Sequence, residues 1–226
     1  MRSNSKMKEK PIEKVVKMQY HFFGMLSRMK YITRWSLMRN TRKENVSEHS
    51  LEVSMIAHAL AVISNKRLGN HLDASKAALI GIYHDSSEII TGDMPTPIKY
   101  NNPQIQKAFK DIEKDASKEL LSMLPSDMIE DYESLFFRKK EEETLWKLVK
   151  AADKLSALIK CIEERKAGNS EFLNAEKSIV KILKDMELKE VDIFIEEFLP
   201  SYEMNLDEMK LGKENVTVHT PSDTYY

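Results

Sequence analysis

Apolar residues recur along most of the chain at spacings of three and four, which is the period of one face of an α-helix. The clearest case is a column of five residues on one predicted helix: His49, Val53, Ile56, Leu60 and Ile63. Strict alternation of apolar and polar residues, which would indicate strands, is scarce. The pattern therefore predicts an all-α protein.

Eight helices follow from this periodicity and from the residues that stop it. They cover about 14–30, 47–64, 74–91, 104–123, 126–137, 141–166, 171–186 and 189–198. Gly168 and Pro200 mark two of the stops. Two longer connections remain, a basic segment over 31–46 and the stretch TGDMPTPIKYNNP over 91–103, whose prolines argue against regular structure.

Local signals fix some of these boundaries. The second helix can be capped by Ser47, or by Asn45 with Glu48 three residues later, which is the pattern of a capping box. Asp73 is a good N-cap for the next helix, which Gly92 would end. Gly81 lies inside that helix at a cost of roughly 1 kcal/mol relative to Ala, so we expect another backbone to approach it closely.

Composition agrees with one helical domain. The 226 residues are 42% hydrophobic, with only 6 Gly and 7 Pro, and no interdomain linker or repeat interrupts them. We predict one domain over 14–211, between a flexible N-terminal extension over 1–13 and a flexible tail over 212–226.

Charge and cysteine content limit the classes of partner and location. Lys and Arg total 35 and Asp and Glu 36, so nothing favours binding to a nucleic-acid polymer or an anionic membrane. The single cysteine, Cys161, cannot form an internal disulfide. No apolar run reaches the ~18 residues needed to cross a bilayer, and the first residues lack the apolar core of a signal peptide. We therefore expect a cytoplasmic protein.

Polar residues interrupt three otherwise apolar helix faces. In GIYHDSSEII, a turn of 100° per residue places His84, Asp85 and Glu88 on one face. His49 begins the apolar column described above. Asp153 lies on a mostly apolar column, where an unpaired buried carboxylate would be costly.

These positions allow two interpretations. A single His or Asp on an apolar face is more often a satisfied core residue, and Arg34 and Trp35 taken alone fit a solvated loop charge and core packing. However, the order His…His-Asp…Asp on successive helices favours a metal site. Imidazole and carboxylate ligands suit Mn, Co, Fe, Ni or Zn better than Ca or Mg.

Three segments resemble the bacterial HD-domain 5′-deoxynucleotidases (YfbR-like). They are SRMKYITRWSLMRNTRKENVSEHSLEVSMIAHAL, YHDSSEIITGDMPTPIKY and VKAADKLSALIKCIEE, and the similarity extends over roughly 19–210. The resemblance implies an HD-domain helical bundle, and the family is typically dimeric. Ser86 and Met94 depart from the pattern only at positions that tolerate variation.

The resemblance also implies roles for individual residues. One divalent metal, preferably Co²⁺ or Mn²⁺ with Fe²⁺, Ni²⁺ or Zn²⁺ as other candidates, would bind His49, His84, Asp85 and Asp153. Glu88 matches the catalytic carboxylate, and Arg34 matches the residue that orients the phosphate during catalysis. Trp35 matches the residue that lines the sugar and disfavours a 2′-hydroxyl. The implied substrate contacts are Arg34, Trp35, His49, Asp85, Asp93, Met94, Pro95, Thr96 and Asp153.

The expected activity is hydrolysis of deoxyribonucleoside 5′-monophosphates to deoxynucleoside and phosphate by a homodimer. Two alternatives stay open from the sequence. One is an HD hydrolase acting on a nucleoside triphosphate, a cyclic dinucleotide or an alarmone. The other is a non-catalytic helical module that binds a nucleotide.

Overall fold

The computed structural model describes residues 19–99 and 102–211. The predicted extension over 1–13, the beginning of the first predicted helix and the predicted tail over 212–226 lie outside these ranges.

The described residues contain eleven α-helices and no strand, which confirms the all-α prediction. The helices are α1 Phe22–Leu26, α2 Val46–Arg67, α3 Ala74–Tyr83, α4 Glu88–Thr91, α5 Thr96–Lys99, α6 Pro103–Ser122, α7 Ile129–Phe136, α8 Glu143–Lys166, α9 Leu173–Asp185, α10 Lys189–Glu197 and α11 Leu206–Leu211. In the same ranges, 3₁₀ helices occur at Ser27–Tyr31, Lys140–Glu142, Ser170–Phe172 and Leu199–Glu203. An isolated antiparallel bridge pairs Thr33 with Asn45.

The predicted caps begin the two helices that matter most for the site. The Asn45 side chain accepts a hydrogen bond from the Glu48 backbone N at 3.0 Å, and the Asn45 backbone N donates to Glu48 Oε2 at 3.3 Å. This capping box confirms Asn45, and not Ser47, as the cap of α2. Asp73 accepts from the backbone N of Lys76 at 2.9 Å. Because α2 begins at Val46, His49 lies in its first turn.

Two predicted boundaries near the N-terminus are wrong. Within the described residues the first helix begins at Phe22 and tightens into a 3₁₀ helix at Ser27. The next helix, α2, runs three residues beyond Ser64 to Arg67. Apolar periodicity cannot distinguish a 3₁₀ helix from an α-helix over one turn, since their periods are similar. It also cannot detect the last three residues of α2, because all three are polar.

The predicted continuous helix over 74–91 is also wrong. The helix α3 ends at Tyr83, and α4 begins at Glu88 after four residues of tight turn. Gly92 then ends α4 with a φ of 73°, as expected for a glycine stop.

The proline-rich connection is less irregular than predicted, because Thr96–Lys99 forms one helical turn. Further along, Pro200 does not end the helical structure. It lies at the start of the 3₁₀ helix Leu199–Glu203, where the missing N–H of a proline is tolerated, and the unpredicted α11 follows.

The core forms where α2, α3 and α8 pack against one another. The closest approach is at Gly81 of α3, where an added Cβ atom would lie 2.8 Å from Ser54 Cα and 3.0 Å from Ser54 N on α2. The expectation of a close backbone contact at Gly81 is therefore confirmed. This packing fixes the distance between α2, which contains His49, and α3, which His84 follows directly. Among the described helices, none combines the length and hydropathy required to cross a membrane.

Candidate active site

His49 is at the centre of the candidate site. Its ring is buried between α2 and α8, with 1% of its surface exposed. The Nε2 atom lies 3.2 Å from Asp153 Oδ1 and 3.6 Å from Asp85 Oδ2. The core column of α2 therefore ends at a cluster of polar atoms, as its sequence suggested.

His84 and Asp85 reach this cluster from the break between α3 and α4. The backbone N of Ser86 donates to the carbonyl of Tyr83, and that of Glu88 donates to the carbonyl of Asp85, both at 3.0 Å. These tight turns replace the single helix face that the sequence predicted. His84 Nδ1 donates to the Gly81 carbonyl at 2.8 Å, and His84 Nε2 lies 3.1 Å from Asp85 Oδ2.

These residues could hold a metal ion. Donor atoms of His49, His84 and Asp85 all lie within 4.8 Å of one another. The Nε2 atoms of both histidines are buried and form no hydrogen bond, although carboxylate oxygens are near. Asp153 adds Oδ1 beside His49, while its Oδ2 accepts from Lys154 Nζ at 2.9 Å. Two buried nitrogens without partners, facing carboxylate oxygens, fit a divalent cation with mixed N and O ligands.

The charges of the cluster favour cation binding. Burial and the nearby Arg34 lower the pKa of His49, which keeps its imidazole neutral. Burial would raise the pKa of Asp85, but His84 outweighs it and holds the carboxylate ionised. Likewise the charge of Lys154 opposes burial, and the pKa of Asp153 lies well below its usual range. Burial alone would lower the pKa of His84, yet Asp85 raises it, so a cation would compete with a proton there.

Arg34 and Trp35 both donate hydrogen bonds to the Glu44 carboxylate, and Arg34 also lies beside Asp85. Arg34 Nη1 lies 3.4 Å from Asp85 Oδ2, and its Nε donates to Glu44 Oε2 at 3.3 Å. Trp35 Nε1 donates to the same Glu44 oxygen at 3.0 Å. The Arg34 side chain is only 11% exposed, which contradicts the interpretation of a solvated loop charge.

Trp35 has an unusual backbone conformation. Its φ is 56°, in the left-handed region that bulky residues rarely adopt. The Trp35 carbonyl accepts hydrogen bonds from Met38 N at 2.9 Å and from Asn40 Nδ2 at 3.1 Å. Its ring packs 5.3 Å, centroid to centroid, from that of Phe172. The hydrogen bonds to the carbonyl therefore hold the backbone, and the packing on Phe172 together with the Nε1 bond to Glu44 holds the indole.

Glu88 begins α4 with a side chain that is 7% exposed and an Oε2 atom without a hydrogen-bond partner. Burial, Asp85 and Asp93 together raise the pKa of Glu88 to about 9. Burial also raises the pKa of Asp93, against the opposing charge of Arg34. With a pKa of about 9, the Glu88 carboxyl group therefore holds its proton at neutral pH.

The predicted substrate loop runs from Gly92 into α5. Asp93, Met94 and Pro95 are all partly buried. The electrostatic effects of Asp93 on Glu88 and of Arg34 on Asp93 place this aspartate near the cluster. The side chain of Thr96 lies outside the part of the chain whose side chains are described.

Three polar residues at the site were not identified from the sequence: Glu44, Glu52 and Ser156. Ser156 Oγ lies 2.9 Å from His49 Nδ1 and donates to Glu52 Oε2 at 2.5 Å. Ser156 follows Asp153 by three residues, and Glu52 follows His49 by three, so helical spacing offered a weak signal for both. Glu44 lies in a loop, and no local pattern distinguished it.

A buried carboxylate on α8 fixes the loop that follows Trp35. Glu164 is 1% exposed and accepts from the backbone N of Thr41 at 2.8 Å and of Arg42 at 3.2 Å. Lys160 binds Glu164 as well, and it donates to the Arg42 carbonyl at 2.5 Å. These bonds outweigh burial and lower the pKa of Glu164 to about 2.

Solved structures share this fold. A 1.98 Å crystal structure of an HD-domain phosphohydrolase from Listeria innocua covers 84% of this chain and 92% of its own, with a TM-score of 0.71 and 24% identity. An HD phosphohydrolase of cyanophage S-2L, solved bound to dA and one catalytic Zn²⁺ ion, covers 82% of this chain and 99% of its own. Its TM-score is 0.57, at 18% identity. The HD-domain helical fold is therefore confirmed.

Sequence comparison is more specific. A 5′-deoxynucleotidase of Vibrio vulnificus is 49% identical over 189 residues, which is 84% of this chain and 97% of the relative. A 5′-deoxynucleotidase of Photorhabdus temperata is 49% identical over 191 residues, with the same two shares. The family model described as 5′-deoxynucleotidase YfbR-like matches residues 21–202. The chain therefore belongs to the YfbR-like 5′-deoxynucleotidase family.

Proposed function

We propose that the chain is a metal-dependent 5′-deoxynucleotidase, which hydrolyses deoxyribonucleoside 5′-monophosphates to deoxynucleoside and phosphate. The observation that supports this most is the convergence of two unpartnered histidine nitrogens, two ionised carboxylates and Arg34 on one point. Membership of the family gives the substrate class.

His49, His84, Asp85 and Asp153 are the proposed ligands of one divalent cation. Co²⁺ and Mn²⁺ are the preferred candidates, with Fe²⁺, Ni²⁺ and Zn²⁺ as alternatives suited to the same ligand types. When bound, such an ion supplies Lewis-acid chemistry: it polarises a phosphoryl oxygen and makes water a stronger nucleophile.

Arg34 is the proposed phosphate-binding residue. Its guanidinium lies beside Asp85 and is aligned by Glu44, which leaves it next to the proposed cation position. A phosphomonoester dianion needs a cationic partner for the oxygens that the metal does not bind, and the planar guanidinium matches their geometry. Burial makes this electrostatic contact stronger than it would be at the surface.

Glu88 is the proposed proton carrier. With a pKa of about 9 it is protonated at neutral pH, so it can donate to the 5′-oxygen as the P–O bond breaks. The phosphoryl group would leave the sugar by attack of water from the opposite side. The deoxynucleoside departs with the proton from Glu88, the attacking water loses a proton to solvent, and Glu88 regains one from solvent.

Trp35 is the proposed sugar-discriminating residue, and Asp93, Met94, Pro95 and Thr96 the proposed substrate loop. A rigid indole against C2′ would exclude a 2′-hydroxyl sterically and would offer it no hydrogen-bond partner. Leaving a polar group buried and unpaired gives steep discrimination. The hydrogen bond from Trp35 Nε1 to Glu44 and the packing on Phe172 supply the rigidity that this role requires.

The test is phosphate release from paired deoxyribo- and ribonucleoside 5′-monophosphates, with Mn²⁺ or Co²⁺ and with chelator. We expect metal-dependent release from the deoxy members. Glu88→Gln should retain metal and lose turnover. A protein that contains metal but hydrolyses only triphosphates, cyclic dinucleotides or alarmones would refute the proposed substrate. A protein that binds no divalent metal would instead favour a non-catalytic nucleotide-binding module.

We also propose a homodimer, as is typical of the family. The helix α2 exposes Leu51 and Met55 one turn apart, at 58% and 59%, and we propose this apolar pair as part of the interface. Light scattering after size exclusion should give twice the 26.2 kDa chain mass. Met55→Glu should yield a monomer if this face is the interface.

The remaining expectations stay proposals. We infer a cytoplasmic location from the single thiol of Cys161, which is buried and whose pKa burial raises to about 12. The balanced charge argues against a nucleic-acid polymer or a membrane surface as partner. The division into a domain over 14–211 with flexible ends is likewise proposed.

A further inference from the structure

The face of His49 opposite the candidate metal position contacts Ser156 and not solvent. Nδ1 of His49 lies 2.9 Å from Ser156 Oγ, whereas the carboxylate oxygen Glu44 Oε1 is 3.8 Å away and beyond hydrogen-bond distance. Both residues of this contact are buried, because His49 is 1% and Ser156 0% exposed. Ser156 is therefore the residue that satisfies Nδ1.

Counting protons fixes the direction of this hydrogen bond. A serine hydroxyl has one proton, and Ser156 donates it to Glu52 Oε2 at 2.5 Å. With Glu52 ionised, the hydroxyl oxygen can only accept from His49, which places the proton of the neutral imidazole on Nδ1. The other nitrogen, Nε2, keeps its lone pair, and this is the atom that faces Asp85 and Asp153.

We propose that Ser156 and Glu52 are positioning residues that hold His49 in the tautomer and orientation required to bind the divalent cation through Nε2. This inference rests on the metal site of the proposed function and adds two residues to it. A hydroxyl alone could donate to Nδ1 or accept from it, and only the carboxylate of Glu52 makes it an acceptor. Such supporting residues typically change metal affinity 10–100-fold when they are removed.

Glu52 reaches Ser156 from the same helix that contains His49. It lies one turn beyond His49 on α2, while Ser156 lies one turn beyond Asp153 on α8. The contact between Glu52 and Ser156 therefore joins α2 to α8, as does the contact between His49 and Asp153. Glu52 also borders an open cavity of about 170 Å³ together with Glu163, so its outer side can meet water.

The experiment measures the dissociation constant of Mn²⁺ by competition with a fluorescent chelator, without substrate. Ser156→Ala should weaken binding 10–100-fold, since Nδ1–H loses its acceptor and the ring can turn. Glu52→Gln should weaken binding several-fold, because an amide can donate to Ser156, whose hydroxyl could then donate to Nδ1 of His49 instead of accepting from it. The double variant should bind no more weakly than Ser156→Ala, since Glu52 acts through the serine.

Glu163→Gln is the matched control, because it neutralises an exposed carboxylate of the same cavity that forms no bond to Ser156. It should bind Mn²⁺ like the wild type. A second readout is the ¹⁵N spectrum of His49 in the metal-free protein, which should report protonation at Nδ1 in the wild type and a shift toward Nε2 protonation in Glu52→Gln.

Wild-type affinity for Ser156→Ala, in protein with a normal melting temperature, would overturn the proposal. If Ser156→Ala does not fold, wild-type affinity and tautomer in Glu52→Gln would overturn it instead. Failure of the wild type to bind any divalent metal would refute the proposed function, so the two failures are distinguishable.

Discussion

Replacing Gly81 by Ala tests whether the spacing of α2 and α3 positions the site. The new Cβ atom would lie 2.8 Å from Ser54 Cα, whereas ordinary contacts begin near 3.4 Å, so the backbones must separate by about 0.6 Å. Overpacking of this kind costs about 1–3 kcal/mol, against a gain of roughly 1 kcal/mol from the helix propensity of Ala. We expect a net loss of about 1 kcal/mol.

Gly24→Ala is the matched control. Gly24 lies in α1, and nothing is within 4 Å of its added Cβ atom, so only the propensity gain remains. At about 2–4 °C per kcal/mol for a chain of this size, a difference of about 2 kcal/mol separates the melting temperatures of the two variants by about 4–8 °C.

The Gly81→Ala variant should also bind Mn²⁺ more weakly, because ligand positions must be correct within about 0.2 Å. His49 is on α2, and His84 follows α3 directly. Calorimetry and chelator competition measure both effects. If Gly81→Ala melts as high as Gly24→Ala and binds metal like the wild type, close packing is not the reason for the glycine.

Other variants test single contacts. Glu88→Gln should lower kcat by about 10²–10⁴ with little change in Mn²⁺ affinity; an unchanged kcat would exclude proton transfer by this residue. Glu44→Ala should raise KM and reduce the preference for deoxy over ribo substrates, since Arg34 and Trp35 share its Oε2; paired kinetics that keep the wild-type preference would contradict this. Glu164→Gln should lower the free energy of unfolding by about 3 kcal/mol, because Lys160 stays buried without its partner. The pKa of Glu164 is depressed, so this difference should be complete above pH 4.5 and shrink as the pH falls toward 2, in urea titrations at several pH values.

Local rules predicted the parts of the site that local contacts determine. The caps at Asn45 and Asp73 depend on side chains within three residues, and sequence spacing reveals them directly. Gly81 was informative because a glycine in a helix has a cost that only packing explains. The apolar residues that follow His49 at spacings of three and four lie on one face of α2 and are buried. The same spacing allowed their burial to be predicted from the sequence.

Other features depend on contacts that spacing does not encode. Between Tyr83 and Glu88 the backbone forms hydrogen bonds of tight turns in place of those of an α-helix. The apolar pattern continues on both sides of this break and does not reveal it. The bond from Ser156 to Glu52 joins residues 104 positions apart, and that from Thr41 to Glu164 joins residues 123 apart. Neither partner of such a pair is unusual in its own segment.

The left-handed conformation of Trp35 has a consequence for attempts to engineer the protein. A bulky residue with a φ of 56° stores about 1–3 kcal/mol of backbone strain, which a glycine or an asparagine at this position would relieve. Trp35→Gly or Trp35→Asn would, however, also remove the packing on Phe172 and the hydrogen bond to Glu44, and the loss of a packed tryptophan costs about 3–5 kcal/mol. Random libraries selected only for heat resistance should therefore not enrich either variant. Selection for stability and selection for sugar discrimination would both keep the tryptophan, and gains in stability would come from elsewhere in the fold.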